Sequence, residues 1–107
     1  MTSVGNAPIW SAAILLDGKM ERIEAELFAD GGNAAVVRLP GRRFPGVVIQ
    51  GDSLSVIRGD IAELRDACGR SEVGEAKELA ELLLGDFDNL LTRYTAALSS
   101  HGNPRPF

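Results

Sequence analysis

The segment Gly51-Asp52-Ser53-Leu54 most directly invites a catalytic interpretation, because its serine follows an apolar run and an acidic residue. A serine hydroxyl becomes a nucleophile only when a general base lies within hydrogen-bonding reach and other donors stabilise the oxyanion. The chain has one histidine, His101, and nothing in its spacing connects it to Ser53. The same residues also fit a helix cap, in which the oxygen of Asp52 or Ser53 accepts a free backbone N–H. We favour the cap.

Three arginines form a local positive spot in a chain whose formal net charge is −4. They are Arg38, Arg42 and Arg43, and no acidic residue stands between Asp30 and Asp52. A guanidinium group suits bidentate contacts with carboxylates and phosphates, and a helix N-terminus also favours anions. This segment is therefore predicted to be a loop that binds an anion or a partner.

The predicted ligand- or partner-binding residues are Arg38, Arg42, Arg43, Phe44, Gln50, Asp52 and Ser53. In the alternative interpretation the arginines are structural: Arg42 or Arg43 pairs with Asp52 and attaches the loop to the start of the helix. In either case we expect Phe44 to anchor the loop on the core.

Strands are predicted to precede this site. Polar and apolar residues alternate from Ile23 to Leu27, a period of two that is typical of a half-buried strand. A second strand over residues 34–39 ends at Pro40-Gly41. A third, over residues 47–50, is nearly all apolar, which predicts the central or best-covered strand of the sheet.

The first 19 residues have two interpretations. Residues 9–16 are apolar and are followed by Asp17-Gly18, a hairpin signal when strands flank it. In this case the sheet has a fourth strand. Otherwise residues 1–19 form an N-terminal extension that precedes a natural start at Met20.

Two helices are predicted to follow the sheet. The first begins at Asp52 or Ser53, ends at Gly69 and has one apolar face, formed by Leu54, Ile57, Ile61, Leu64 and Cys68. The second, capped by Ser71, runs from Glu72 to Leu98, and at 1.5 Å per residue it is about 40 Å long. Strands of six residues span about 20 Å, so this helix overhangs the sheet or bends near Gly85. Its leucines exceed what one contact face needs, which predicts a homodimer through this helix or a sheet edge.

Composition excludes several classes of function. The 107 residues suffice for one domain, and the acidic balance argues against nonspecific nucleic-acid binding. The apolar run Ala12–Leu16 is too short to span a membrane. Cys68 is the only cysteine, so we expect neither an internal disulfide nor a Cys/His zinc site. No metal or cofactor is expected, and the protein is predicted to be cytoplasmic.

Two resemblances bear on these expectations. Residues 51–55 resemble the first block of the GDSL (SGNH) esterase and lipase superfamily, whose nucleophile would be Ser53 here. Its later blocks are missing, since no asparagine stands in a Gly-x-Asn-Asp setting and Leu98 replaces the aspartate expected three residues before His101. We interpret this likeness as incidental.

The second resemblance rests on the run NAAVVRLPGRRFPGVVIQGDSLS, residues 33–55. This run resembles a small bacterial family, common in actinobacteria, that has no assigned activity. The resemblance extends from about Met20 to Leu98. It implies a bacterial, cytoplasmic setting and adds no catalytic residue.

These observations predict an α+β fold, a small antiparallel sheet of three to four strands packed on two antiparallel helices. Residues 20–98 form the single domain, and residues 99–107 form a flexible tail. The predicted function is that of a non-enzymatic binding protein, such as an immunity or regulatory partner, that acts through the Arg42/Arg43 loop and the helix start at Asp52-Ser53. The expected ligand is a protein or a small anion. The alternatives are a small serine hydrolase that uses Ser53 and a module that senses a phosphate-bearing ligand.

Overall fold

The structure is a computed structural model that describes residues 20–107. It contains three strands, β1 (Glu26–Gly31), β2 (Ala34–Arg38) and β3 (Gly46–Ile49), followed by two helices, α1 (Gly51–Gly69) and α2 (Val73–Ser100). The predicted α+β class is confirmed. The strand predicted over residues 9–16, and the alternative extension over residues 1–19, lie outside the described residues.

The sheet is an antiparallel meander in the order β1-β2-β3. Short turns join consecutive strands, so each strand pairs with its neighbour in the chain and the second strand becomes the central one. The prediction that the third strand is central was therefore wrong. An apolar run such as Val47-Val48 is compatible with either a central or an edge strand. β3 is an edge strand, and Val48 is 55% exposed.

The core lies between the sheet and the C-terminal turns of α2. Its buried members are Val36, Tyr94, Ala97 and Leu98, and Phe28 and Ala29 pack against them. α1 packs along α2 rather than on the sheet. The 28 residues of α2 correspond to about 42 Å, so the sheet and α1 each cover part of its length. This arrangement accounts for the predicted overhang, and α2 continues through Gly85 as one helix.

Residues beyond α2 contact the domain. α2 ends at Ser100, two residues later than predicted. The amide of Asn103 then bonds the Leu98 carbonyl at 2.9 Å, and the Phe107 ring stacks on the Tyr94 ring with centroids 6.2 Å apart. These contacts attach the predicted tail to the helix that carries the core.

The turn between the helices places Ser71 in the left-handed region, at φ 58°. The Glu72 amide bonds the Ala67 carbonyl at 2.9 Å and the Ser71 amide bonds the Cys68 carbonyl at 3.1 Å. These two bonds terminate α1 in the manner of a Schellman motif. Ser71 was predicted to cap α2, but the cap residue is Glu72, which makes no side-chain cap bond.

Ser71→Gly is expected to raise the free energy of unfolding by about 1 kcal/mol, because glycine adopts the left-handed conformation without the steric cost of a Cβ. A domain of this size should then melt about 4–8 °C higher. Circular dichroism during heating measures the change, and Ser71→Ala, which keeps the Cβ, is the control. Equal melting temperatures for the glycine and alanine variants would show that this conformation is not strained.

Candidate functional site

The loop between β2 and β3 presents two arginines at its tip. The Arg42 amide bonds the Leu39 carbonyl at 3.2 Å, and Gly41 takes φ 77°, a conformation that glycine adopts without strain. Arg42 and Arg43 are both exposed. A short turn therefore holds the two guanidinium groups outside the fold.

The loop is attached to the core mainly through Pro45. Pro45 is buried, and its carbonyl accepts a buried hydrogen bond of 2.8 Å from the Tyr94 hydroxyl. Phe44, the predicted anchor, is only half-buried, and the Arg43 guanidinium lies 5.1 Å from the centre of its ring. Sequence reasoning missed the contact with Tyr94, because it joins residues that lie far apart in the chain.

Arg38 is engaged within the fold. Its guanidinium donates to both carboxylate oxygens of Glu26 on β1, at 2.6 and 3.0 Å, and lies 5.3 Å from the centre of the Phe28 ring. It also donates to the Arg43 carbonyl at 3.4 Å. The hydrogen bond from Arg38 lowers the pKa of the Glu26 carboxylate below its ordinary value. Arg38 thus links β1, β2 and the loop, and its charge is already paired.

Arg42 and Arg43 differ from Arg38 in this respect. Within residues 20–107 neither side chain forms a salt bridge. The alternative prediction, in which Arg42 or Arg43 pairs with Asp52, was therefore wrong. Asp52 instead accepts the Ser53 amide at 2.8 Å.

The start of α1 differs from the predicted cap. The helix begins at Gly51 and its cap residue is Gln50, with no side-chain cap bond, so the prediction of Asp52 or Ser53 as cap was wrong. The Gln50 amide donates to the Asn33 carbonyl at 3.1 Å, and its carbonyl accepts the Leu54 amide at 2.9 Å. The pairing of β3 with β2 thus continues directly into the first helical turn, and this continuity sets where the helix begins.

Ser53 lies in a shallow groove of about 410 Å³ between the helices and the sheet. The polar side chains that line the groove with it are Asn33, Asp86, Asn89 and Arg93. The guanidinium of Arg93 donates to the carbonyls of Gly31 and Ala34, the latter at 3.2 Å, and so ties the β1–β2 turn to α2.

His101, the histidine that a Ser53 hydrolase would require, is not part of this groove. Its Nε2 lies 3.2 Å from the Phe28 carbonyl, and its ring packs edge-on against the Phe28 ring, with centroids 5.0 Å apart. The structure therefore surrounds Ser53 with acidic, amide and guanidinium groups and places the imidazole against β1.

The sheet has an apolar face directed away from α2, which sequence reasoning did not identify. Leu27 pairs with Val37 and Ala35 with Val48, and side chains paired in this way lie on the same face. Leu27 and Val48 are 59% and 55% exposed. The signal was available in the sequence, because β2 and β3 are apolar at successive positions and so have apolar residues on both faces.

This face continues into the arginine loop. A depression of about 250 Å³ at their junction is lined by Val37, Leu39, Arg42, Phe44 and Val48, among others. We call the face and the loop together the arginine-bordered face, composed of Leu27, Val37, Leu39, Arg42, Arg43, Phe44 and Val48. Of the predicted site residues, Arg42, Arg43 and Phe44 lie together here, whereas Ser53 lies in the separate groove described above.

Comparison with known proteins places this chain in a family. Residues 20–107 match the model of a family of unknown function, DUF6959. The chain belongs to DUF6959. The match includes the arginine-bordered face and the start of α1, and it extends beyond the predicted end at Leu98 to include residues 99–107. No curated protein and no solved structure matched the chain.

Two further observations concern the DUF6959 domain. Among residues 20–107 no three His, Cys, Asp or Glu side chains are grouped so as to hold a metal ion. Neither α1 nor α2 combines the length and the apolar character that a membrane-spanning helix needs.

Proposed function

We propose that this chain is a non-enzymatic binding protein that holds an acidic segment of a partner protein on the arginine-bordered face. The observation that carries the proposal is that Arg42 and Arg43 are exposed, form no salt bridge within residues 20–107, and border apolar side chains that are more than half exposed. Apolar patches rimmed by polar groups are typical of protein interaction sites. An immunity or regulatory protein in the bacterial cytoplasm would act in this way.

An acidic protein segment fits this surface better than a free phosphate does. A phosphate site at the start of α1 would need the free amides of the first turn, and one of them, the Ser53 amide, is already bonded to the Asp52 carboxylate. The Asp52 carboxylate would also repel an anion there. Leu27, Val37 and Val48 can in turn contact aliphatic side chains of a partner, whereas a phosphate has no apolar group to place on them.

The proposal is tested with a fluorescein-labelled peptide in which aspartate alternates with leucine and valine, followed by fluorescence anisotropy at low salt. The full chain should bind it saturably, with an affinity that falls as salt is added because the arginine charges are screened. Arg42→Ala combined with Arg43→Ala should weaken binding at least about tenfold, since each charge-assisted contact contributes about 1.5–3 kcal/mol. The midpoint of thermal unfolding should stay unchanged.

The matched control removes two exposed positive charges elsewhere, Lys77→Ala with Arg105→Ala, and should bind as the wild type does. Wild-type affinity in the Arg42/Arg43 double variant, or no saturable binding by the wild type, would overturn the proposal. A large loss of stability in the double variant would assign the arginines a structural role. If instead the wild type hydrolyses a p-nitrophenyl ester and Ser53→Ala does not, the serine hydrolase would replace the proposed function.

A further inference from the structure

The two helices carry apolar stripes that the chain leaves uncovered. On α1, Leu54 and Ile61 are 57% and 50% exposed, and on α2, Leu84, Phe87 and Leu91 are 62%, 42% and 50% exposed. Residues seven apart, or three and four apart, lie on one side of a helix. On α2 the stripe is continuous. On α1 Leu54 and Ile61 lie two turns apart, joined by the half-buried Ile57 and bordered by Arg58.

The stripe of α2 continues into the core. Tyr94 and Leu98 extend the spacing of Leu84, Phe87 and Leu91 by three and four residues, and both are buried by the sheet. One end of a single apolar seam is thus covered and the other end is bare. A seam of this kind is the contact face of a helix bundle.

Both stripes lie on the same side of the α1–α2 hairpin. The opposite side is a polar groove, lined by Glu63 and Asp66 of α1, by Glu75, Glu78, Leu79 and Leu82 of α2, and by Arg70 of the turn. On each helix, the side that packs against the other helix lies between the polar groove and the stripe. On α1 this packed side carries the half-buried Ile57 and Leu64, and on α2 it carries Leu79 and the buried Leu83. In both helices the turn from the packed side to the stripe has the same sense when the helix is viewed from N to C. Because the helices are antiparallel, this turn leads to the same side of the hairpin, and the two stripes form one surface.

We propose that this surface is the interface of a homodimer, in which two hairpins form an antiparallel four-helix bundle. The hairpin face is about 28 Å long, the length of α1, and about 20 Å wide, the diameter of two helices. The projected area is about 560 Å², close to the lower limit of about 600 Å² per partner for a specific interface. A bundle of this kind buries the bare end of each seam against the other copy.

The register within the hairpin and the direction of the two-fold axis together fix which residues meet. Arg70 bonds Glu75, with a guanidinium nitrogen 2.7 Å from the carboxylate, and Ser53 and Arg93 line the same groove further along. We place the two-fold axis of the dimer parallel to the helix axes. Rotation about this axis keeps each residue at its position along the bundle, so α1 of one copy faces α2 of the other in the register of the hairpin. Leu54 then lies opposite Leu91 of the second copy, and Ile61 lies opposite Leu84 of the second copy.

The charges that flank the stripes are complementary in this register. Arg58 lies beside the stripe on α1. At the same position along the bundle axis, Asp88 lies beside the stripe on α2. Within residues 20–107 neither forms a salt bridge. Arg65 and Glu81 correspond one heptad along, but within the chain Arg65 pairs with Asp66 at 3.2 Å and Glu81 with Lys77 at 3.8 Å. Arg58 and Asp88 are therefore the charges for which the second copy supplies the partner.

Sedimentation equilibrium of the full chain tests the proposal and is independent of the proposed function, because Arg42 and Arg43 lie outside the interface. The wild type should have twice the chain mass at micromolar concentration. Leu84→Glu should be monomeric, whereas Leu82→Glu, which changes a similarly exposed leucine on the polar groove side, should remain dimeric. A monomeric wild type at about 100 µM, well above the micromolar affinity expected of a specific dimer, would overturn the proposal, as would a dimeric Leu84→Glu.

Charge reversal tests the register in chains that keep every apolar contact. Arg58→Glu alone and Asp88→Arg alone should each raise the dimer dissociation constant about tenfold, because each places like charges opposite one another. The two changes together should restore the dissociation constant to within about threefold of the wild type. Absence of restoration in the double variant would overturn the proposed register.

Discussion

Replacing Leu98 with alanine is expected to lower the free energy of unfolding by about 3–5 kcal/mol, the range of a Leu→Ala change that leaves a cavity at a rigid site. Leu98 is fully buried and belongs to the cluster that attaches the sheet to α2. Small domains are stable by only about 5–15 kcal/mol. The variant should therefore lose a large share of its stability, measured as the urea midpoint at fixed protein concentration.

Leu82→Ala is the matched control for this prediction. It removes the same atoms from the same helix, but Leu82 is 54% exposed, so the expected loss is below about 1 kcal/mol. Equal losses for the two leucines would show that the contact between sheet and α2 is not the main core of the domain.

Tyr94→Ala should cost about 3–5 kcal/mol, because a large buried ring in the same cluster is lost. Its hydroxyl bonds the buried Pro45 carbonyl, so Tyr94→Phe should account for about 1–2 kcal/mol of the total. In Tyr94→Phe the amides of the β2–β3 loop should also exchange with solvent faster than in the wild type. Denaturant unfolding and hydrogen exchange measure the two effects.

A Tyr94→Phe variant that is as stable as the wild type would contradict the role of this hydrogen bond. Unchanged exchange of the loop amides would show that the loop keeps its position without Pro45 as an anchor. Affinity for the acidic peptide should fall moderately in Tyr94→Phe, because a looser loop must be ordered on binding.

Local patterns in the sequence predicted the elements well. Alternation, the Pro-Gly pairs and the spacing of leucines indicated three strands and two helices, and the α+β class follows from their order. Alternation placed the first strand over residues 23–27, whereas β1 spans Glu26–Gly31, because its pairing with β2 begins only at Glu26. The same patterns did not fix the start of α1, because the bond of the Gln50 amide to Asn33 extends the strand pairing to the helix and makes Gln50 the cap residue. They also did not place β3, because its apolar run is compatible with a central or an edge position.

Contacts between distant residues could not be predicted. The pairing of Arg38 with Glu26 and the bond of Tyr94 to Pro45 depend on how the strands and α2 meet, which one sequence does not encode locally. The seam of α1 was correctly predicted to be apolar, but Leu54 and Ile61 are not buried within the chain. Apolar periodicity predicts that a helix face packs against other residues. It does not predict whether those residues belong to the same chain or to another one.

The most direct test of the proposed binding surface is an NMR titration of the ¹⁵N-labelled full chain with the acidic peptide. Chemical-shift changes should concentrate at Leu27, Val37 and residues 39–48, which form or adjoin the arginine-bordered face. Changes centred on Ser53, Asn89 and Arg93 would place the ligand in the groove instead and would contradict the account, as would the absence of any saturable change.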